Sequence, residues 1–196
     1  MNKKKTVSPI KSLADIGKIK RHLLKTQQYR NYLLFVMGIN VGLRISDLLS
    51  LKISDVWHNG KCVEAIVIRE QKTKKYRTIA LNGATEEAIE RYLGSLKTFN
   101  ENDWLFKSRK YGTPLTKQSA HRIINQIMAD CGIVGHWGTH TLRKTFAYQL
   151  YMANAEQPMI LEYLMKLLNH SSQQITLAYM GIEQQQLNNL VENLNL

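Results

Sequence analysis

The sequence predicts a single domain of the α+β class, predominantly helical, with a small antiparallel β-sheet. Apolar residues recur at helical spacing along most of the chain, and one β-rich run occupies residues 62–81. No repeat, low-complexity stretch or proline-rich linker divides the chain. A chain of 196 residues, 44% of them hydrophobic, can bury about 70% of its unfolded surface, so it can form a core of its own.

Helix start and stop signals organise the first part of the chain. Ser12, followed three residues later by Asp15, has the pattern of a helix N-cap and predicts a first helix there. A second, more buried helix is predicted to end near Gly42, because glycine is the usual C-terminal stop. A short helix then begins at Ser46, which places Arg44 in a turn between two helices.

The β-rich run predicts a hairpin with a basic tip at residues 71–77. After it, the pattern is helical again, apart from a short strand-like segment at residues 104–106 and a turn at residues 112–114. The later helices are predicted at residues 85–97, at 116–131 with Thr116 as cap, from Thr139, and from Pro158 to about Asn169.

Composition and charge narrow the function. The chain has 27 Lys and Arg against 15 Asp and Glu, a net charge of +12, and a pI of about 9.7, which favours a polyanionic partner such as nucleic acid. Cys62 and Cys131 lack the spacing of a zinc site and are interpreted as small core residues. No apolar run is long enough to cross a membrane, and no secretory signal follows the basic N-terminus, so a cytoplasmic protein is expected.

Two segments carry side chains that can grip a phosphate. His140 and Arg143 are three residues apart on a predicted helix and therefore point the same way. Arg44 lies in the apolar segment Gly-Leu-Arg-Ile-Ser-Asp, where an unpaired guanidinium is costly to bury. Asp47 is one partner for it, but the positive balance of the region favours the phosphate of a ligand.

A third segment, Leu-Asn-His-Ser-Ser at residues 168–172, is followed by Tyr179 nine residues after His170. The arginine of GLRxSD, then HxLR, then LNHSS, then this tyrosine resemble, in that order, the catalytic domain of the tyrosine recombinases, the phage integrase family. The resemblance covers residues 12–196 and leaves residues 1–11 as a short basic extension. Lys144 after the HxLR arginine and Asn169 in place of the commoner glycine are small departures from the pattern.

The resemblance implies a site-specific DNA recombinase that works through a 3′-phosphotyrosyl intermediate, without metal, ATP or other cofactor. Tyr179 would be the nucleophile, while Arg44 and Arg143 would stabilise the charge that develops on the phosphate. His140 is a candidate for proton transfer with the tyrosine, and His170 for a hydrogen bond to the phosphate or for orienting its neighbours. Lys72 in the hairpin tip matches the family's general acid best, with Lys74 as the second candidate, and Lys74, Lys75 and Lys144 are predicted to contact DNA.

The expected partners are double-stranded DNA and further copies of the chain, as a dimer or tetramer on DNA, with a C-terminal helix at residues 183–194 that docks on a neighbouring protomer. Family members usually carry a separate N-terminal core-binding domain, and this sequence resembles the short catalytic-domain-only forms such as fimbrial phase-variation invertases, or a fragment. Affinity and site choice would then depend on the basic face of the domain, on multimerisation, or on an accessory DNA-bending protein. A non-catalytic DNA-binding relative and a type IB topoisomerase-like relaxing enzyme are the alternatives.

Overall fold

The protein is predominantly helical, as predicted, and a computed structural model describes residues 6–72, 74–108 and 112–182 of it. No helix among these residues has the length and apolarity that crossing a membrane requires. The helices are α1 (Leu13–Lys25), α2 (Tyr29–Asn40), α3 (Ile45–Leu49), α4 (Gly83–Gly94), α5 (Lys117–Asp130), α6 (Thr139–Ala153), α7 (Ile160–Leu168) and α8 (Gln173–Met180).

Serine and threonine side chains fix the start of several helices. Ser12, Thr116 and Ser172 each accept a hydrogen bond from the backbone N–H three residues later, at 3.1 to 3.2 Å. These bonds satisfy N–H groups that have no partner within the helix. The predicted caps Ser12 and Thr116 are therefore confirmed, and the cap at Ser172 begins helix α8, which was not predicted.

In the described part of the chain, the β-structure consists of two small antiparallel pairs. Strands β1 (Trp57–His58) and β2 (Lys61–Cys62) form one pair, and β3 (Ala65–Arg69) and β4 (Tyr76–Ala80) form the predicted hairpin. In the hairpin, Ile66 pairs with Ile79 and Ile68 with Arg77, so these four residues share the inner face of the sheet. The basic tip is shorter than predicted because β4 already begins at Tyr76.

Among the residues that the structure describes, two hydrophobic clusters hold the elements together. The larger one surrounds α2, whose residues 32–38 are all buried and which packs on α4 and α6. The smaller one joins α6 to α7 and α8 through Ala147, Tyr148, Leu164, Leu168 and Met180. Helix α6 is common to both clusters, so consecutive residues 141–145 are all buried.

Some boundaries differ from the predictions, and α4 spans Gly83–Gly94 where residues 85–97 were predicted. Gly138, not Thr139, precedes the first residue of α6, and its N–H donates to the Thr141 hydroxyl at 3.2 Å. Helix α7 begins two residues after Pro158, because Met159 adopts a left-handed conformation with φ of 67°. The strand-like segment at residues 104–106 pairs through an isolated bridge between Lys52 and Trp104 and not as a strand.

The contact between α2 and α6 depends on a glycine. A Cβ added at Gly38 would lie 2.9 Å from the Cβ of Leu142, closer than real carbon atoms pack. We therefore expect Gly38→Ala to lower the free energy of unfolding by about 1–3 kcal/mol, measured by urea denaturation. Gly94→Ala in α4 is the matched control, since its Cβ would meet nothing within 4 Å and alanine favours helix by up to about 1 kcal/mol. If both substitutions changed the free energy of unfolding equally, the close approach of Gly38 to Leu142 would not be what constrains this position.

Candidate active site

Arg143 lies at the centre of the site, on the buried segment of α6. Its side chain is almost fully enclosed, and its Nη2 donates a hydrogen bond to the carbonyl oxygen of Leu168 at 3.0 Å. Its Nη1 is also buried and has no hydrogen-bond partner among the described residues. Burial lowers the pKa of this guanidinium, and the positive charges of Arg44 and Arg77 lower it further. One face of Arg143 therefore lacks the acceptor that a buried cation needs.

Arg44 precedes the first residue of α3 and is paired with Glu70, not with Asp47. Its Nη1 donates to Glu70 Oε2 at 2.9 Å. The alternative of Asp47 as its partner is therefore wrong, because the Asp47 carboxylate turns to the hairpin and accepts from the backbone N–H of Gln71 at 3.0 Å. Arg44 thus stands at the junction of α3 with the hairpin that carries the candidate lysines.

Glu70 and Arg77 belong to the site although they were not identified from the sequence. The two side chains lie 3.5 Å apart, and Arg77 Nη1 also donates to the carbonyl oxygen of Leu167 at 2.9 Å. A signal for them was present in the alternation of the strands. Glu70 continues the inward series of Ile66 and Ile68, and Arg77 is two residues from the inward Ile79, so both charges face the protein and not the solvent.

His140 and His170 are held close to the arginines. Loss of hydration lowers the pKa of both rings, and Arg143 and Arg44 lower it further, with Lys144 adding to the effect on His140. Part of the His140 side chain still reaches solvent. His170 is half-buried, and its Nδ1 lies 3.1 Å from the hydroxyl oxygen of Thr176. Both rings are therefore biased toward the neutral form.

Tyr179 projects from α8 toward the same cations. Its hydroxyl is buried and makes no hydrogen bond of good geometry with a described residue. Burial raises the pKa of the phenol, while the charges of Arg143 and Arg44 and an imperfect hydrogen-bonding contact with Arg143 lower it in part. The ring packs edge-on against His170, with centroids 4.9 Å apart. Contacts of the ring therefore hold Tyr179 in place, whereas its hydroxyl makes no hydrogen bond of good geometry with a described residue.

Lys144 is buried, and its ammonium lies 5.3 Å from the centroid of the Tyr179 ring. A cation at this distance is attracted to the face of an aromatic ring. Burial lowers the pKa of this amine. In this arrangement Lys144 contacts the ring of the candidate nucleophile, and its contact with DNA stays a prediction.

The candidate lysines of the hairpin lie on the surface of its tip. Lys72, Lys74 and Lys75 are all exposed at the tip, and Lys74 adopts a left-handed conformation with φ of 59°. The backbone of Lys74 is held by hydrogen bonds to Glu70 and from Arg69, at 2.9 and 3.1 Å. The structure thus brings Arg44, His140, Arg143, His170 and Tyr179 together, and the role of Lys72, with Lys74 as the second candidate, stays a prediction. The predicted C-terminal helix at 183–194 lies outside the described residues.

Comparison with known proteins identifies the class of protein. The model of the phage integrase family matches residues 9–186. The chain is 39% identical over 178 residues to the probable integrase/recombinase YoeC of Bacillus subtilis strain 168, covering 91% of each chain. It superposes on the crystal structure of XerA recombinase with a TM-score of 0.72 at 23% identity, over 97% of this chain and 65% of that one. A XerH site-specific recombinase bound to palindromic difH substrate gives 0.69 at 24% identity, over 96% and 54%.

The fold is that of a tyrosine recombinase catalytic domain. The family model and the relatives show that this chain belongs to the phage integrase family. The predicted fold class and the predicted class of enzyme, a tyrosine-type site-specific recombinase, are confirmed, and the two alternative classes are not favoured. The chain spans about half the length of other tyrosine recombinases that it matches, 50% and 48% for two of them at 29% identity.

The contact between Thr176 and His170 predicts which ring nitrogen carries the proton, and this can be tested without any activity assay. The Thr176 hydroxyl oxygen lies 3.1 Å from both the carbonyl oxygen of Ser172 and His170 Nδ1, and with its single proton donated to the carbonyl it accepts from an Nδ1–H on His170. We expect the ring nitrogen chemical shifts of His170 in the free protein to report the Nδ1–H tautomer. Thr176→Val removes the acceptor and should give a mixture of tautomers, whereas Thr176→Ser should keep the wild-type pattern. An Nε2–H tautomer in the wild type would contradict this assignment.

Proposed function

We propose that this chain breaks and rejoins double-stranded DNA at specific sites, with Tyr179 as the nucleophile and Arg44, His140, Arg143 and His170 around the scissile phosphate. The 3′-phosphotyrosyl bond would conserve the energy of the broken phosphodiester, so rejoining needs no ATP. Guanidinium groups can stabilise the developing negative charge themselves, so the proposal calls for no metal cofactor. Integration, inversion and resolution are all outcomes of such a step.

One observation supports this proposal above the others. The Tyr179 hydroxyl and Arg143 Nη1 are both buried polar atoms without a hydrogen bond of good geometry to a described residue. The two side chains are neighbours joined by an imperfect contact, through which each shifts the pKa of the other. Buried polar atoms in native structures are nearly always paired. A phosphate bound between them would accept a hydrogen bond from Arg143 through one of its oxygens. Its phosphorus would be the atom that the tyrosine oxygen attacks.

The proposed cleavage step balances with the residues at hand. The Tyr179 oxygen forms a bond to phosphorus, and the bond from phosphorus to the 5′ oxygen of the next nucleotide breaks. The phenol proton passes to His140, whose lowered pKa keeps it in the neutral, proton-accepting form. The departing 5′ oxygen takes a proton from Lys72 in the hairpin tip. Rejoining is the same step reversed, with a 5′ hydroxyl as the attacking group.

Charge and relatives support double-stranded DNA as the substrate. The chain has a net charge of +12, and the exposed Lys74 and Lys75 extend the cationic surface from the site along the hairpin. The XerH structure is a complex with its DNA substrate, and a lambda integrase structure is a dimer bound to a core site. We propose a similar DNA complex for this chain, in the cytoplasm. Self-association on DNA through residues 183–194, with or without an accessory DNA-bending protein, is part of this proposal, and sedimentation of the DNA complex after deletion of those residues tests it.

Covalent capture tests the reaction without knowledge of the target. The protein is incubated in EDTA with fragmented genomic DNA of its host, denatured, and recovered with any covalently attached strands, whose ends are sequenced. We expect adducts at a few recurring sequences, and none with Tyr179→Phe, because that variant lacks the attacking oxygen. Tyr163→Phe is the matched control, since Tyr163 is exposed on α7 and should leave the adducts unchanged.

Each other outcome separates one alternative from the proposal. If both the wild type and Tyr179→Phe bound DNA and neither formed an adduct, the enzymatic function would be contradicted. That result would favour a non-catalytic DNA-binding protein. If the protein relaxed a supercoiled plasmid that carries one of the recovered sites, without strand exchange, this would favour a topoisomerase-like enzyme. Adducts that persist in Tyr179→Phe would show that another residue is the nucleophile.

A substrate with a 5′-bridging sulfur at the scissile position tests which lysine is the general acid. A thiolate leaves without being protonated, so the loss of a general acid matters only for the normal oxygen substrate. We expect Lys72→Met to slow adduct formation about 10²- to 10⁴-fold on the oxygen substrate. On the sulfur substrate, the rate of this variant should return to that of the wild type. Lys74→Met and Lys75→Met should lack this selective restoration. If the sulfur substrate restored the rate of Lys74→Met alone, Lys74 would be the general acid. If it restored the rate of neither variant, the hairpin would not supply the general acid.

A further inference from the structure

Glu70 is a buried acid in a site that otherwise gathers positive charge. It is only 6% exposed and lies against two guanidinium groups, 2.9 Å from Arg44 Nη1 and 3.5 Å from Arg77 Nη1. The cleavage step proposed above does not use it. A carboxylate that is almost fully buried and touches two cations is expected to determine where those cations lie.

Through Arg77, the carboxylate of Glu70 is connected to the end of helix α7. Arg77 donates to the carbonyl oxygen of Leu167, and Arg143 donates to that of the next residue, Leu168. These carbonyls belong to the last turn of the helix, where oxygens have no partner within the helix and the helix dipole is negative. The two arginines proposed to bind the phosphate are therefore anchored to the same turn, Arg143 directly and Arg44 by way of Glu70 and Arg77.

The backbone of Glu70 also closes the hairpin tip. Its N–H donates to the carbonyl oxygen of Lys75 at 3.0 Å, and its carbonyl accepts from the N–H of Lys74 at 2.9 Å. One residue thus holds the base of the lysine-bearing tip through its backbone and Arg44 through its side chain.

The pairing leaves Arg44 able to bind a phosphate. Glu70 engages it through Nη1 alone, and within the described ranges no other hydrogen bond of this guanidinium is formed. Since an arginine side chain presents five N–H donors in a fixed plane, a single contact at one end orients the plane and leaves its other donors for phosphate oxygens.

We propose that Glu70 is a positioning residue, which orients Arg44 for the scissile phosphate and holds it in register with the lysine-bearing hairpin tip. This inference rests on the proposed function for its effect on cleavage, but not for its effect on Arg44. The opposite role, in which Glu70 competes with the phosphate for Arg44, predicts faster cleavage when the charge is removed.

The experiment compares Glu70→Gln with Glu64→Gln, an exposed glutamate just before the same hairpin strand. We expect Glu70→Gln to slow single-turnover adduct formation about 10- to 100-fold, since small displacements of catalytic groups cost that much. Its affinity for duplex DNA should be equal or higher, because a negative charge is lost from a DNA-binding surface. Glu64→Gln should match the wild type, and Glu70→Asp, which keeps the charge on a shorter side chain, should be intermediate. Thermal unfolding of every variant verifies that it is folded at the assay temperature.

Two further measurements isolate the effect on Arg44. In an Arg44→Met background, Glu70→Gln should cause no additional slowing, because residues that act through one another are not additive. In guanidinium nitrogen NMR spectra of the free protein, Glu70→Gln should shift and broaden the Arg44 signal and leave that of Arg143 in place. Cleavage as fast as wild type, equal slowing in both backgrounds, or an unchanged Arg44 signal would each overturn the proposal. Because the NMR measurement needs no DNA, it remains decisive if the wild type forms no adduct and the proposed function itself fails.

Discussion

The carbonyl end of helix α7 is the feature on which the arrangement of the site depends. Leu167 and Leu168 offer their oxygens to Arg77 and Arg143, and Asn169 then ends the helix in a left-handed conformation, with φ of 55°. His170 follows directly, so its position is set by the same helix end. Carbonyls at a C-terminus lack partners and carry partial negative charge, which makes them suitable acceptors for buried cations. One turn of helix thereby orients groups that come from α6, β4 and its own C-terminus.

This clustering of cations has an energetic cost that the free protein bears. Arg44, Arg77 and Arg143 lie close enough for their charges to interact, and Glu70 is the acid that offsets them within the segments described. Loss of hydration and these charges lower the pKa values of His140 and His170. A histidine whose pKa is lowered by folding contributes stability at pH values above its unfolded pKa of about 6.5. This stability is lost as the pH falls through the folded pKa. An anion in the site would relieve the repulsion and favour protonated histidine, so substrate binding and site stability are linked.

Local patterns in the sequence predicted the helices well and the long-range partners poorly. Ser12 and Thr116 cap helices where predicted because a cap involves only residues three apart. The partner of Arg44 could not be found this way, because Glu70 reaches it only after the hairpin has folded onto α3, whereas Asp47 is the neighbour in sequence. Strand alternation could have marked Glu70 and Arg77 as inward charges. The burial of Lys144 follows from α6 being enclosed by both clusters, which its own periodicity does not reveal.

The way Tyr179 is held fits a residue whose hydroxyl has to react. Its ring is fixed by the edge of His170 and by the ammonium of Lys144, contacts that use the π-system and not the oxygen. A strong hydrogen bond to the hydroxyl would have to be broken or rearranged before attack. Because the oxygen is enclosed without such a bond, burial raises the pKa of the phenol, and the neighbouring arginines only partly reverse this. The ring contacts therefore supply the positioning, and the task of activating the oxygen falls to the groups that meet the phosphate.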